Sequence, residues 1–256
     1  MVMYQTPSNI LDVIRRYFKF SGEEMRALII STLLVAFIVS FNEWGATSFN
    51  AFVGLRNLFN AVLIVLLGLL FHISLQRIAG LMLGFKVEFR MWLYGLLAGV
   101  AVAIVSNGKL WLLLPGGVLF FHMAGHRLGA FRFGMNHFDI AVVGFWGPFA
   151  NMLLATFFKW MLVFFPGNPL LLKAMIVNIW LGAFTILPIP PLDGSHGFYG
   201  SRLAYFFSIG FIWSMAVLLY FLPPFVSLII GFLIGVITWF CYNWFREIPY
   251  WNKAGW

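Results

Sequence analysis

Long apolar runs, unbroken by any polar alternation, recur along the chain at about 26–42, 57–79, 92–107, 110–124, 138–165, 169–187, 203–221 and 225–243. In lipid no water is present to satisfy a backbone amide, so such a run crosses only as a helix or as part of a closed barrel. Barrel strands alternate apolar and polar residues, and these runs do not, which leaves helices. Composition agrees: 62% of the residues are hydrophobic and 9% charged, whereas about a quarter of a soluble domain is charged. The expectation is an all-α polytopic membrane protein with about 6-8 transmembrane helices, compatible with short β-strands after the second span. The runs within 92–124 are only just long enough for a ~30 Å hydrocarbon core, so that stretch is either a true hairpin or a re-entrant pair. Pro223-Pro224 divides the last two spans, because neither residue continues a helix interior.

Polar residues mark the ends of these runs. Ser21 and Glu24 have the spacing of a capping box and open the first span. Ahead of it, Ser8 is placed to cap a short helix with Ile10, Val13, Ile14, Tyr17 and Phe18 on one face and Asp12, Arg15, Arg16 and Lys19 on the other, suited to the membrane surface. Met1 to Phe20 lacks the apolar core of a secretory signal, so no cleavage is expected.

The net charge of +8 is spread singly between apolar runs, which fits anionic lipid rather than nucleic acid. Arg15, Arg16, Lys19, Arg26, Arg77, Lys86, Arg90, Arg127, Arg132, Arg202, Arg246 and Lys253 fall on one side of an eight-crossing path. Only Arg56, Lys109 and Lys173 fall on the other. The positive-inside rule then places both termini in the cytoplasm. Trp44, Trp92, Trp111, Trp244, Trp251 and Trp256 lie near span ends, as in an aromatic belt. Cys241, the one cysteine, excludes an intrachain disulfide.

Strongly polar groups inside a span are costly and mark functional positions. His72 and Gln76 are four apart, on one face of the second span near its inner end. Closing the sixth span, Leu187-Pro188-Ile189-Pro190-Pro191-Leu192-Asp193-Gly194 holds an extended stretch that presents Asp193, with Gly194 permitting a turn behind it. Both clusters fall at inner ends, so they can meet and hold a metal or a hydrogen-bonded pair. The alternative is that His72 and Gln76 only bond neighbouring helices.

That Asp-Gly segment resembles the second motif of the site-2 protease family, intramembrane zinc metalloproteases. Gly147-Pro148-Phe149-Ala150-Asn151 is similar to the family's Gly-Pro-x-x-Asn element. Glu88-Phe89-Arg90-Met91-Trp92 and Pro115-Gly116-Gly117-Val118 are similar to archaeal members. The likeness covers about 57–205 and implies four parts: a cytoplasmic amphipathic segment at 1-25, the first transmembrane helix and outer loop at 26-56, a site-2-protease-like membrane core at 57-205, and a C-terminal transmembrane hairpin with cytoplasmic tail at 206-256. The family's first motif, His-Glu-x-x-His, supplies two zinc ligands and a general base. Carried over, the resemblance keeps His72 and Asp193 as ligand positions, but puts Ile73 where the base belongs and Gln76 where the second histidine belongs. Thr185 stands where the family usually has Asn. Ile73, Gln76, Asn151, Pro188, Gly194 and His196 would line the former site.

A catalytic zinc needs three protein ligands and an open position, and an isoleucine takes no proton from bound water. No cofactor is expected, zinc being held weakly if at all, and peptide hydrolysis is expected to be absent or negligible. The expected role is to bind a transmembrane-helix partner in the lipid bilayer or to serve as a subunit of a membrane complex. The alternatives are an active metallohydrolase using His72, Asp193 and a third ligand such as Gln76 or His196, and an unrelated transporter. A relocated metal site would use His122 and His126, one helical face apart if the fourth span extends that far, with Glu88 as base or Asp139 as ligand.

Overall fold

The computed structural model describes residues 7–45, 48–122 and 136–248. Its elements are α1 (Pro7–Tyr17), α2 (Gly22–Ser40), α3 (Ala51–Met82), β1 (Phe85–Met91), α4 (Leu93–Val105), β2 (Gly116–His122), α5 (His137–Phe164), α6 (Pro169–Thr185), α7 (Asp193–Gly200), α8 (Arg202–Phe221) and α9 (Pro224–Tyr242). The chain is an all-α membrane protein with one small sheet. Among the described residues four helices are long and apolar enough to cross a membrane: α3, α5, α8, and α9 with its continuation to Glu247. The shorter α2 and α6 pack in the same bundle, α2 on α3 and α6 on α5.

Several helices start at a side-chain cap. Ser21 accepts from the Glu24 backbone while the Glu24 carboxylate accepts from Ser21, the reciprocal pair expected. Asn50, Asn136 and Asn168 cap α3, α5 and α6 with their side-chain oxygens. Helix α1 begins at Pro7, one residue ahead of the cap expected at Ser8. On its polar face Arg16 pairs with Asp12 at 2.9 Å.

The run at 110–124 is not a helical span. Its apolar composition suits either state, but Gly116 takes a φ of 134°, which only glycine readily adopts and which no helix continues through. The chain instead enters β2, which pairs antiparallel with β1 from Phe85 opposite His122 to Met91 opposite Gly116. Helix α4 has 13 residues, about 20 Å at 1.5 Å per residue, short of the hydrocarbon core. Trp92 N–H donates to Pro115 O at 3.0 Å, so the chain leaves and rejoins the sheet at one level. The stretch is one helix with an extended return, and Gly108 at its tip packs against Asn42 just past the end of α2, so only the first half of the expected hairpin is a helix. His122 therefore lies at a strand end, not on a helix face with His126, which lies outside the described residues together with Arg127, Arg132, Trp251, Lys253 and Trp256.

Two apolar clusters hold the bundle. One joins α2, α3 and α4 through Leu28, Val35, Ala61, Leu69, Ile73 and Leu96. The other joins α5, α6 and α8 through Met152, Ala155, Met175, Ile179, Phe211 and Met215.

Candidate functional site

Three elements bring the polar groups together. Helix α3 carries His72 and Gln76 on one face. Helix α5 crosses it at Gly147, where an added Cβ would collide with His72 Nε2 and with Gln76. The third element is the start of α7. Gly194 closes it against the end of α6, because a Cβ there would overlap the Ile186 and Leu187 carbonyls. Close approach, rather than the turn expected from the sequence, is what requires glycine at 194. Gly144, one turn before Gly147 on α5, lies against the Asp193 carbonyl and His196. Glycines at 144 and 147 thus give α5 a flat face on which both polar segments rest.

His72 Nε2 stands 2.7 Å from Asp193 Oδ2, and Asn151 Nδ2 stands 3.0 Å from His72 Nδ1. An Asn151 amide that donates to Nδ1 is compatible with a ring N–H at Nε2 that donates to the carboxylate. All three side chains are buried, His72 at 3% exposure and the others at 0%. Around them, Gln76 Nε2 and Oε1, Asp193 Oδ1 and Asn151 Oδ1 are buried without a hydrogen-bond partner. Gln76 itself is fully enclosed.

The remaining residues singled out by sequence fall elsewhere. Ile73 turns into the α2–α3–α4 core with Leu69 and Phe89. Pro188 is exposed at the turn after α6. His196 donates from Nε2 to the Val118 carbonyl at 2.9 Å and meets Phe120 edge-on, tying α7 to β2. It does not complete the His72–Asp193 pair. Thr185 spends its hydroxyl on the Leu181 carbonyl of its own helix at 2.8 Å. Glu88 is paired with Lys86 at 2.7 Å, and Asp139 lies in the first turn of α5.

Sequence reasoning counted Arg77 among the inner-side positive charges and missed its role as a buried anchor. Its guanidinium is buried, pairs with Glu24, donates to the Lys19 carbonyl at 2.7 Å and lies over the rings of Phe20 and Phe18. Glu24 accepts as well from the Phe89 amide at 3.0 Å. A signal was present: Arg77 directly follows the buried Gln76 on a helix that runs five residues further.

Zinc does not fit the donors present. Tetrahedral zinc takes nitrogen and oxygen ligands at about 2.0–2.2 Å, which sets neighbouring donors about 3.3 Å apart. His72 Nε2 and Asp193 Oδ2, at 2.7 Å, are closer than that. Among the described residues no three His, Cys, Asp or Glu side chains come together. The position beside them belongs to the Gln76 amide, a weak zinc donor. What the arrangement can do is hold two long helices, α3 and α5, and the short helix α7 in register through a buried hydrogen-bonded relay.

Comparison with known proteins adds one relative. A protein of Methanocaldococcus jannaschii that bears the name "Putative zinc metalloprotease" is 31% identical over 183 residues, covering 69% of this chain and 84% of that protein. No family profile matches the sequence, and no solved structure matches the chain.

Proposed function

Because the chain belongs to the metalloprotease family of its Methanocaldococcus relative, we propose that it is a site-2-protease-like member that has kept the membrane scaffold and given up peptide hydrolysis. The observation that carries this reading is the direct His72–Asp193 hydrogen bond, with Asn151 behind it, an amide at Gln76 and the Ile73 side chain in the apolar core. Hydrolysis needs a metal or base to activate water, and loss of a general base alone forfeits about 10²–10⁴ in rate. Neither Ile73 nor Gln76 can take up that proton.

The scaffold would then act by binding, gripping a transmembrane segment of a partner protein or joining a larger membrane complex. In this reading the protein resides in the cytoplasmic membrane with both termini on the cytoplasmic side. His72, Asp193, Asn151 and Gln76 are remnant positions of the family site, buried between α3, α5 and α7.

The test is cleavage of a transmembrane peptide by the purified protein, by Asp193→Asn and by the double variant Ile73→Glu, Gln76→His. The wild type and Asp193→Asn are expected to show equal background. Turnover by the wild type that Asp193→Asn abolishes would establish an active metallohydrolase instead.

A further inference from the structure

At the end of the bundle away from His72 and Asp193, a cavity of about 880 Å³ opens between the first turns of α3, the first turns of α6 and the chain following α2. Arg56 on its wall is about 24 Å along α3 from His72. Val53, Arg56, Asn57 and Asn60 line it from α3, and Pro169, Leu172, Lys173 and Ile176 from α6. Each set repeats at three and four residues, so each is one helical face turned to the same space. Of the three basic residues that charge patterning assigns to this side of the membrane, Arg56 and Lys173 both line this cavity.

Their states differ. Lys173 is paired with Glu43 from the segment after α2, and Asn57 donates to the Glu43 carbonyl at 2.9 Å. Arg56 has neither ion pair nor hydrogen bond among the described residues, and the Asn60 amide one turn along is likewise unbonded. With Lys173 and Glu43 cancelling, the cavity carries one uncompensated positive charge. Beside it, Phe52, Leu55 and Phe59 on α3 are exposed to the lipid side at 77%, 59% and 62%, so the opening adjoins a surface that hydrocarbon covers.

The geometry points to a binding site for an anionic phospholipid headgroup: a phosphodiester of single negative charge held by the Arg56 guanidinium and the Asn60 amide, its acyl chains running down the Phe52–Leu55–Phe59 face. One negative charge neutralises the site. Arginine presents a planar fork that matches phosphate oxygens, and a spanning helix's first turns sit at headgroup depth. This site stands apart from the His72–Asp193 pair, and the reading holds whether or not that pair is catalytic.

The experiment is native mass spectrometry of the full chain, delipidated in detergent and titrated with dioleoyl phosphatidylglycerol or dioleoyl phosphatidylcholine, with and without inorganic phosphate. One phosphatidylglycerol is expected to bind in preference to phosphatidylcholine. Arg56→Gln should weaken it about tenfold, as for loss of a charge-assisted hydrogen bond, and Asn60→Ala by less. Lys109→Gln, removing the third basic residue of this side from outside the cavity, should leave affinity unchanged. Equal binding by Arg56→Gln, or an equal loss in Lys109→Gln, would overturn the site. Displacement of the lipid by equimolar inorganic phosphate would show that the ligand is free phosphate and would overturn the headgroup assignment.

Discussion

His72 and Arg77 lie on the same helix, both buried beside a carboxylate, yet their surroundings are built to different standards. Around Arg77 nearly every donor and acceptor is used: Glu24 serves its own helix cap, the guanidinium and the Phe89 amide, and two phenyl rings cover the charge. Only Arg77 Nε lacks a partner. Around His72, four buried polar atoms of Gln76, Asp193 and Asn151 are left over. A cluster whose work is anchoring closes on itself. The other leaves buried polar atoms that a further ligand could engage.

The comparison is most sharply broken at Glu24. Glu24→Ala leaves an uncompensated buried guanidinium and should cost about 3–5 kcal/mol, read as a lowered midpoint in denaturant unfolding in detergent. A loss under about 1 kcal/mol would mean that Arg77 does not anchor the sheet and the segment before α2. Asp193→Ala removes one acceptor from the His72 ring and leaves no buried guanidinium behind, so its cost should be smaller, about 1–3 kcal/mol. Asp193→Asn, which keeps an acceptor, should recover part of it in the same assay.

Gly147→Ala pushes a methyl against His72 and Gln76 and should destabilise by about 1–3 kcal/mol, partly offset by alanine's helix preference of about 1 kcal/mol. The smallest effect carries the opposite sign. Gln76→Leu removes two unsatisfied atoms and should leave stability unchanged or raise it by about 1 kcal/mol. A clear loss would show that the Gln76 amide holds something the protein needs.

Much of this architecture was legible in the chain. Runs at 138–165, 169–187, 203–221 and 225–243 became α5, α6, α8 and α9 within a few residues, because a long apolar run has one stable form in lipid. Ser21 and Glu24 announced their cap for the same local reason. The 110–124 run misled because its composition suits a buried strand as well as a span, and Pro115-Gly116-Gly117 decides between them. His72 and Asp193 were both legible as polar residues at inner span ends. Asn151 was placed at the site through its resemblance to the Gly-Pro-x-x-Asn element, but that it reaches Nδ1, that His196 turns to Val118 and that Gly144 and Gly147 open the space depend on helix crossings that no local pattern encodes. Arg77 was missed because a basic residue near a span end reads as a snorkelling charge until its carboxylate partner, far away in sequence, is brought beside it.

The most direct test of the central claim is the zinc content of the purified wild-type protein, measured by elemental mass spectrometry beside Gln76→His and Asp193→Ala. Restoring an imidazole completes a three-ligand set, so Gln76→His should hold zinc at least about a hundredfold more tightly than the wild type, and the wild type should be substoichiometric. One zinc per wild-type chain, lost in Asp193→Ala, would contradict the account.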